Sequence, residues 1–347
     1  MHDAVSALLR QDRPVELPVW RSFWDRLHDG GLRRGESVAL LASLSTRMPD
    51  RVTLTALLDS LAERRPAAGY GEAGEVGAAV NIVGTGGGPS TFNVSTAAAF
   101  VAAAMGVRVV KTGSRAYTGS LGSVDLLERL GVPLTSSYEE TRASLERHGI
   151  AFAGAFVYPP ELGLLARSVL PLDSRKLGGF VNALGPFLAR LPVRAQLTGV
   201  ADPRLVTGLR HAAAHVSRGG DRSVWLCVNG AGADELLSFR PNRVHTYEGA
   251  GEDEFVLEPA RLGLSPGSLD GLRPADGDPV AYFHEVLSGR CSPAAEETVC
   301  LNAAALAVVG RHTGDWRTAL DAAHEVIRGG RALALLTLLR SETAAHA

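Results

Sequence analysis

The sequence predicts an α/β protein with a helical region at its front, and three observations carry that expectation. Apolar residues from Val19 to Arg65 recur every three or four positions, the period of amphipathic helices. Beyond residue 77, short β-branched runs ending in glycine alternate with helical patterns, the signature of a sheet with crossover helices. At 347 residues the chain also exceeds the size at which a single core usually stops growing, so two structural regions are expected.

In the first region Leu40, Leu41 and Leu44, then Leu54, Leu57, Leu58 and Leu61, repeat at helical spacing, and residues 1–77 are expected to be all-helical. Pro66 to Gly77 collects Pro, Ala, Gly and Glu without periodicity and reads as a connector. The α/β region, residues 78–347, opens with a strand at Val80 to Val83. A helix from Ser95 to Met105 follows, with a Ser/Thr start and Gly106 as its stop. Val107 to Val110 is a second strand, and Val124 to Leu130 a helix ended by Gly131. Ser137 to His148 is a helix opened by a capping box of Ser137 and Glu140. Ile150 to Val157 and Val224 to Val228 are further strand runs. Glu296 to Val309, Trp316 to Ile327 and Arg331 to Leu339, separated by glycines, are helices expected to cover the sheet. No repeat at a 20 to 50 residue period appears, which excludes solenoids and propellers.

Composition narrows the function classes. Hydrophobic residues make up 46% and charged residues 21%, enough apolar surface for a packed core. Lys and Arg total 35 against 37 for Asp and Glu, and a net charge of −2 gives no broad attraction to nucleic acid or a membrane surface. Cys227, Cys291 and Cys300 are widely spaced and odd in number, which argues against a disulfide framework and against a CxxC metal site. Met1 to Arg21 lacks the apolar core of a signal peptide, and runs such as Ala97 to Met105 are far shorter than the roughly 20 apolar residues a bilayer requires. A soluble, cytoplasmic protein is expected.

The most informative stretch runs from Gly84 to Thr96, GTGGGPSTFNVST, between a strand and a helix. Glycines let the backbone turn tightly and approach an anion, while the free amides and dipole of the following helix start attract phosphate. A glycine-rich turn before an ordinary capped helix would carry the same residues, so position matters more than glycine content. No Lys-Ser or Lys-Thr follows at the Walker position, and the dinucleotide fingerprint fits poorly. Lys111 ends the next strand and opens a second polar loop with Thr112, Gly113, Ser114 and Arg115. Two loops at the carboxyl ends of neighbouring strands converge on one crevice, where Lys111 and Arg115 would supply positive charge. Asp234 and Glu235 follow the strand at Val224 to Val228 and could hold Mg²⁺, a hard cation that prefers oxygen ligands. A helix start alone would also favour adjacent acids.

In combination these segments resemble the anthranilate phosphoribosyltransferases and, more distantly, the pyrimidine nucleoside phosphorylases that share their fold. The resemblance runs from about residue 30 to the C-terminus and is strongest over Asn81 to Gly131, where IVGTGG at Ile82 to Gly87 and FNVST at Phe92 to Thr96 match the family's first phosphate loop. Lys111, Gly113 and Arg115 match its second loop, Gly122, Ser123 and Asp125 the next helix start, and Asn182 to Pro186 an Asn-x-Leu-Gly-Pro segment. The resemblance implies a helical domain joined to an α/β domain with a central mixed sheet, with part of the 160–200 stretch returning to the helical side, and a homodimer. It implies that Gly84, Thr85, Gly86, Gly87, Thr91, Asn93, Ser95, Thr96, Lys111 and Ser123 bind 5-phosphoribosyl diphosphate, that Asp234 and Glu235 hold Mg²⁺, and that Tyr158, Arg175, Gly178, Gly179 and Asn182 lie on the acceptor side.

Departures from the family pattern sharpen the expectation. The aspartate after Gly-Thr-Gly-Gly is Gly88 here, the His and Asn of Lys-His-Gly-Asn-Arg are Thr112 and Ser114, and a serine before the Gly122 match is Leu121. The His-Pro element near the acceptor is Pro159-Pro160, Arg-Thr is Gly178-Gly179, and Arg175 sits at a shifted position for the carboxylate-binding arginine. Loss of polar partners disfavours an aromatic acid, so the expected reaction is Mg²⁺-dependent phosphoribosyl transfer to a small amine or hydroxyl other than anthranilate, such as that of an aminoglycoside antibiotic. The alternatives are the tryptophan-pathway enzyme itself, a nucleoside phosphorylase, distinguished by phosphate-dependent nucleoside cleavage, and a non-catalytic nucleic-acid-binding relative, distinguished by a salt-dependent shift assay.

Overall fold

The protein is described by a computed structural model covering residues 1–65, 79–89, 91–115, 121–172, 177–220, 222–273 and 277–346; the expected connector at 66–77 lies outside the described residues. Four helices open the chain: α1 (Asp3–Arg10), α2 (Leu17–His28), α3 (Arg34–Thr46) and α4 (Arg51–Ala62). Local contacts explain two of the starts. The His2 ring accepts from the Ala4 amide at 3.1 Å, and Asp50 accepts from the Thr53 amide at 3.0 Å, satisfying amides that an uncapped helix leaves bare. The apolar stripe of α2 buries Trp20, Phe23 and Trp24 against Leu40, Leu54 and Leu61, with the two indoles stacked at 5.9 Å.

The sheet has seven strands in the order β3-β2-β1-β4-β5-β6-β7. β1 (Val80–Gly84), β2 (Val109–Lys111), β3 (Ile150–Phe152), β4 (Ala195–Val200) and β5 (Ser223–Asn229) pair in parallel, while β6 (Asn242–Glu248) and β7 (Gly251–Leu257) add an antiparallel hairpin at one edge. β4 is buried at every position, as expected for a central strand covered on both faces. Over one face lie α5 (Val94–Ala104) and α12 (Pro293–Val309), whose alanines at 97–99, 102–103, 303–305 and 307 are buried together. Small side chains let these two helices approach closely, and a helix apolar on every side is stable only in such a core. α13 (Trp316–Arg328) packs against both, and α14 (Arg331–His346) against α5 and α13.

Between these elements come α6 (Ser123–Leu130), α7 (Tyr138–His148), α8 (Pro160–Ser168), α9 (Gly179–Leu188), α10 (Val206–Arg218) and α11 (Pro279–Leu287). Leu165 and Val169, at the end of α8, and Phe180, Leu184 and Phe187 of α9 share one core with α1–α4. Two local expectations change. The strand expected at Ile150 to Val157 ends at Phe152 and passes into a 3₁₀ turn at Ala155–Val157, because the Gly154 amide bonds the Thr135 carbonyl at 3.0 Å and a side chain there would sit 2.7 Å from that oxygen. Ser137 does cap α7, accepting from the Glu140 amide at 3.1 Å, but the Glu140 carboxylate returns to the Ser136 amide at 2.7 Å and not to that of Ser137.

Candidate active site

The carboxyl ends of β1 and β2, the segment after β5 that carries Asp234 and Glu235, and the starts of α5 and α6 converge on a cavity of about 680 Å³, whose far wall is built by Tyr158, α8 and α9. The glycine loop follows β1. Gly86 and Gly87 take φ of 70° and 82°, the left-handed region that side chains resist. The Gly86 amide donates to Asp234 Oδ2 at 2.8 Å, and the Thr91 hydroxyl donates to Glu235 Oε1 at 3.0 Å, so the loop grips both acids.

Glycines also make the close approach possible. Gly84 and Gly199 are register partners at the ends of β1 and β4. A Cβ on Gly84 would lie 2.6 Å from Asp234 Cγ, and one on Gly199 would lie 2.9 Å from Asp234 Cα. Two neighbouring strands therefore leave one slot, which Asp234 fills. Asn229 shapes the segment behind it by donating to the Ala233 and Glu235 carbonyls at 2.9 and 2.8 Å and accepting from the Ala231 and Ala233 amides. Gly88, where the family pattern has aspartate, is pressed against this segment: a Cβ would stand 2.8 Å from the Gly232 carbonyl oxygen.

Lys111 is the charge at the floor. It is only 3% exposed, and its ammonium donates to the Ile82 and Thr112 carbonyls, both at 3.1 Å. Burial lowers its pKa to about 8 against the pull of Asp234 and Glu235. Desolvation raises both acids, Glu235 further because the Asp234 charge is beside it. A buried lysine next to two buried acids is a preset charge cluster whose groups differ strongly from their behaviour in water, the pattern typical of functional sites.

Most of the residues expected from the sequence line this cavity: Gly84, Thr85, Gly86, Gly87, Thr91, Asn93, Ser95, Lys111, Ser123, Tyr158, Asn182, Asp234 and Glu235. Others do not. Thr96 is fully buried one helical step beyond Ser95, on another face of α5 and off the cavity wall. Gly178 and Gly179 begin α9 but are not in the wall, and Arg175 lies outside the described residues. Arg115 reaches the cavity, yet its guanidinium bonds Asp125 at 3.0 Å and also Glu128, so its charge is largely spent.

The sequence reading missed Arg167. It lies in the last turn of α8 and lines the cavity, and its side chain makes no ion pair or hydrogen bond among the described residues. Nothing in the family pattern points to it; only the helical spacing from Leu162 and Gly163, both in the wall, could have. Tyr158 and Thr112 were also not expected to interact, but the Thr112 side chain hydrogen-bonds the Tyr158 phenol, whose pKa burial pushes up. Pro186 sits inside α9 and has no amide to give the Asn182 carbonyl four residues earlier.

A glycine loop and an acidic pair meeting at the ends of parallel strands define a phosphate-handling α/β transferase. Residues 76–333 match the glycosyl transferase family, a/b domain. The chain is 35% identical over 312 residues to the anthranilate phosphoribosyltransferase of Cenarchaeum symbiosum (strain A), covering 88% of each, and 35% identical over 257 residues to that of Sorangium cellulosum (strain So ce56), covering 73% and 72%. Its fold matches the crystal structure of anthranilate phosphoribosyltransferase from Thermus thermophilus with a TM-score of 0.77 at 29% identity over 99% of both chains. The Saccharomyces cerevisiae enzyme in complex with PRPP and Mg shares the fold with a TM-score of 0.76 at 21% identity, over 99% of this chain and 97% of that one. The chain belongs to the anthranilate phosphoribosyltransferase family.

Proposed function

We propose that the protein transfers the phosphoribosyl group of 5-phosphoribosyl diphosphate to the amine of anthranilate, with Mg²⁺ held by Asp234 and Glu235. The observation that carries this reading is the meeting of the glycine loop, Lys111 and both acids in one cavity. The donor set suits the metal: two buried carboxylates offer hard oxygen, and Mg²⁺ is commonly bound by one or two carboxylates with substrate phosphates completing its shell. When bound, the metal would neutralise charge on the diphosphate. The chain's own residues do the remainder. The loop beyond Gly86, whose own amide is held by Asp234, and the first turn of α5 line the cavity on the side assigned to the phosphates, and Lys111 adds a fixed positive charge that need not reorganise during reaction. The amine nitrogen bonds to the anomeric carbon as diphosphate leaves, and the ammonium so formed loses a proton. A neutral amine needs little base assistance.

The acceptor side favours anthranilate over the aminoglycoside-type acceptor that the missing motif residues suggested. Asp234 and Glu235 are the only acids among the described lining residues, so a polyamine would find no further carboxylate. Tyr158, Pro159, Pro160, Leu162 and Val181 offer an apolar wall for a flat ring, Arg167 offers a cation for its carboxylate, and the relatives at 35% identity carry anthranilate in their names. This reading includes a homodimer and a cleft between a helical domain (1–77 with part of 160–200) and an α/β domain (78–347); light scattering should give twice the chain mass. For the acceptor, Arg167→Ala should raise the KM for anthranilate about tenfold or more, the scale of a charged hydrogen bond, and leave that for the neutral amide analogue unchanged. An equal effect on both, or none, would remove Arg167 from the acceptor site, and turnover of an aminoglycoside without turnover of anthranilate would restore the other acceptor.

A further inference from the structure

We infer that Asn81 and Gln196, neither of which touches the cavity, are positioning residues that fix the spacing between its donor floor and its acceptor wall. Both side chains are fully buried, on neighbouring strands β1 and β4. Asn81 Nδ2 donates to Gln196 Oε1 at 3.2 Å and to the Thr112 hydroxyl at 3.3 Å, and Asn81 Oδ1 accepts from the Thr112 amide at 3.3 Å. Gln196 Nε2 donates to the Pro186 carbonyl at 3.1 Å and to the Thr198 hydroxyl at 2.9 Å. Every N–H of the two amides is used, so neither can flip without setting oxygen against oxygen.

The two ends of this ladder reach opposite sides of the site. Thr112 follows Lys111, accepts from its ammonium through its own carbonyl, and bonds the Tyr158 phenol. Pro186 belongs to α9, which also carries Asn182 into the cavity wall. The ladder thus spans from the strand that holds the donor-side cation to the helix on the acceptor side. Full satisfaction in a low-dielectric core makes such a network rigid, which apolar packing of equal volume would not reproduce. The acceptor role of that wall rests on the function proposed above; the ladder's mechanical role does not.

The test uses Gln196→Leu, with Gln196→Glu as a same-size variant if the first fails to fold, and Thr198→Val as the control that removes only the lateral bond. Hydrogen exchange followed by mass spectrometry should show faster exchange at Gly179–Leu188 and at Lys111–Ser114 in either Gln196 variant, with Thr198→Val as wild type. At saturating donor the KM for anthranilate should rise at least tenfold, and the KM for donor less than threefold. Unchanged exchange at α9, or a parallel rise of both KM values, overturns the inference. A wild-type protein inactive on anthranilate would instead defeat the proposed acceptor and leave the exchange result to decide the ladder.

Discussion

Replacing Lys111 by methionine should separate the stability of this fold from its use. A fall from 10.5 to about 8 means that holding the charged ammonium in the floor costs about 3 kcal/mol at neutral pH. Methionine removes that cost but strips the Ile82 and Thr112 carbonyls of their donor, at about 1–3 kcal/mol for each group left unmet. The two effects oppose one another, so the ligand-free variant should lie between about 1 kcal/mol more stable and about 3 kcal/mol less stable than wild type in urea unfolding. Donor binding should suffer alone, weakened by about 10- to 100-fold in titration calorimetry with Mg²⁺, as expected when a charged hydrogen-bond partner is lost. A pH signature accompanies it. Because the folded pKa lies below the unfolded one, the cost is fully present below about 8 and disappears as pH rises toward 10.5, so wild type gains stability across that window and the variant does not. A variant destabilised by more than about 4 kcal/mol with donor affinity intact would refute the reasoning.

Gly84→Ala should abolish turnover and lower stability by about 1–3 kcal/mol, the range for overpacking, because its Cβ would displace Asp234 while Gly199 leaves that residue no room to retreat; activity within about tenfold of wild type would show the slot to be loose. Asp234→Asn with Glu235→Gln should retain the fold, since neutral amides relieve two buried like charges, yet reduce transfer by about a thousandfold or more; near-normal turnover at limiting Mg²⁺ would end the metal assignment.

Much of this was legible in the residues. The glycine loop, Lys111 and the acidic pair were found because phosphate and metal binding demand rare residue types at strand ends, and strand ends are marked by β-branched runs stopping at glycine. What escaped depends on side chains meeting across the fold. Arg167 belongs to no motif, and only the packing of α8 turns it toward the cavity. Arg115 looked like a free cation until Asp125 and Glu128 were seen to hold it. Thr96 looked like a ligand because it adjoins Ser95, and helical rotation sends it into the core. The inference from absent motif residues to a different acceptor did not count Arg167, to which the proposed function assigns the acceptor's carboxylate. Strand β4 and the β6–β7 hairpin went unread: β4, buried at every position although it carries Gln196, Thr198 and Gly199, shows neither alternation nor a continuous apolar run, and the hairpin's outer strand is dominated by Glu252, Asp253 and Glu254.

The most direct test of the central claim is a single turnover assay on the wild-type protein with anthranilate, 5-phosphoribosyl diphosphate and Mg²⁺, following anthranilate fluorescence and diphosphate together. Loss of anthranilate should be matched one for one by diphosphate release, dependent on Mg²⁺ and absent in the Asp234→Asn, Glu235→Gln protein. Persistence of anthranilate and donor after prolonged incubation with active, folded protein would contradict it.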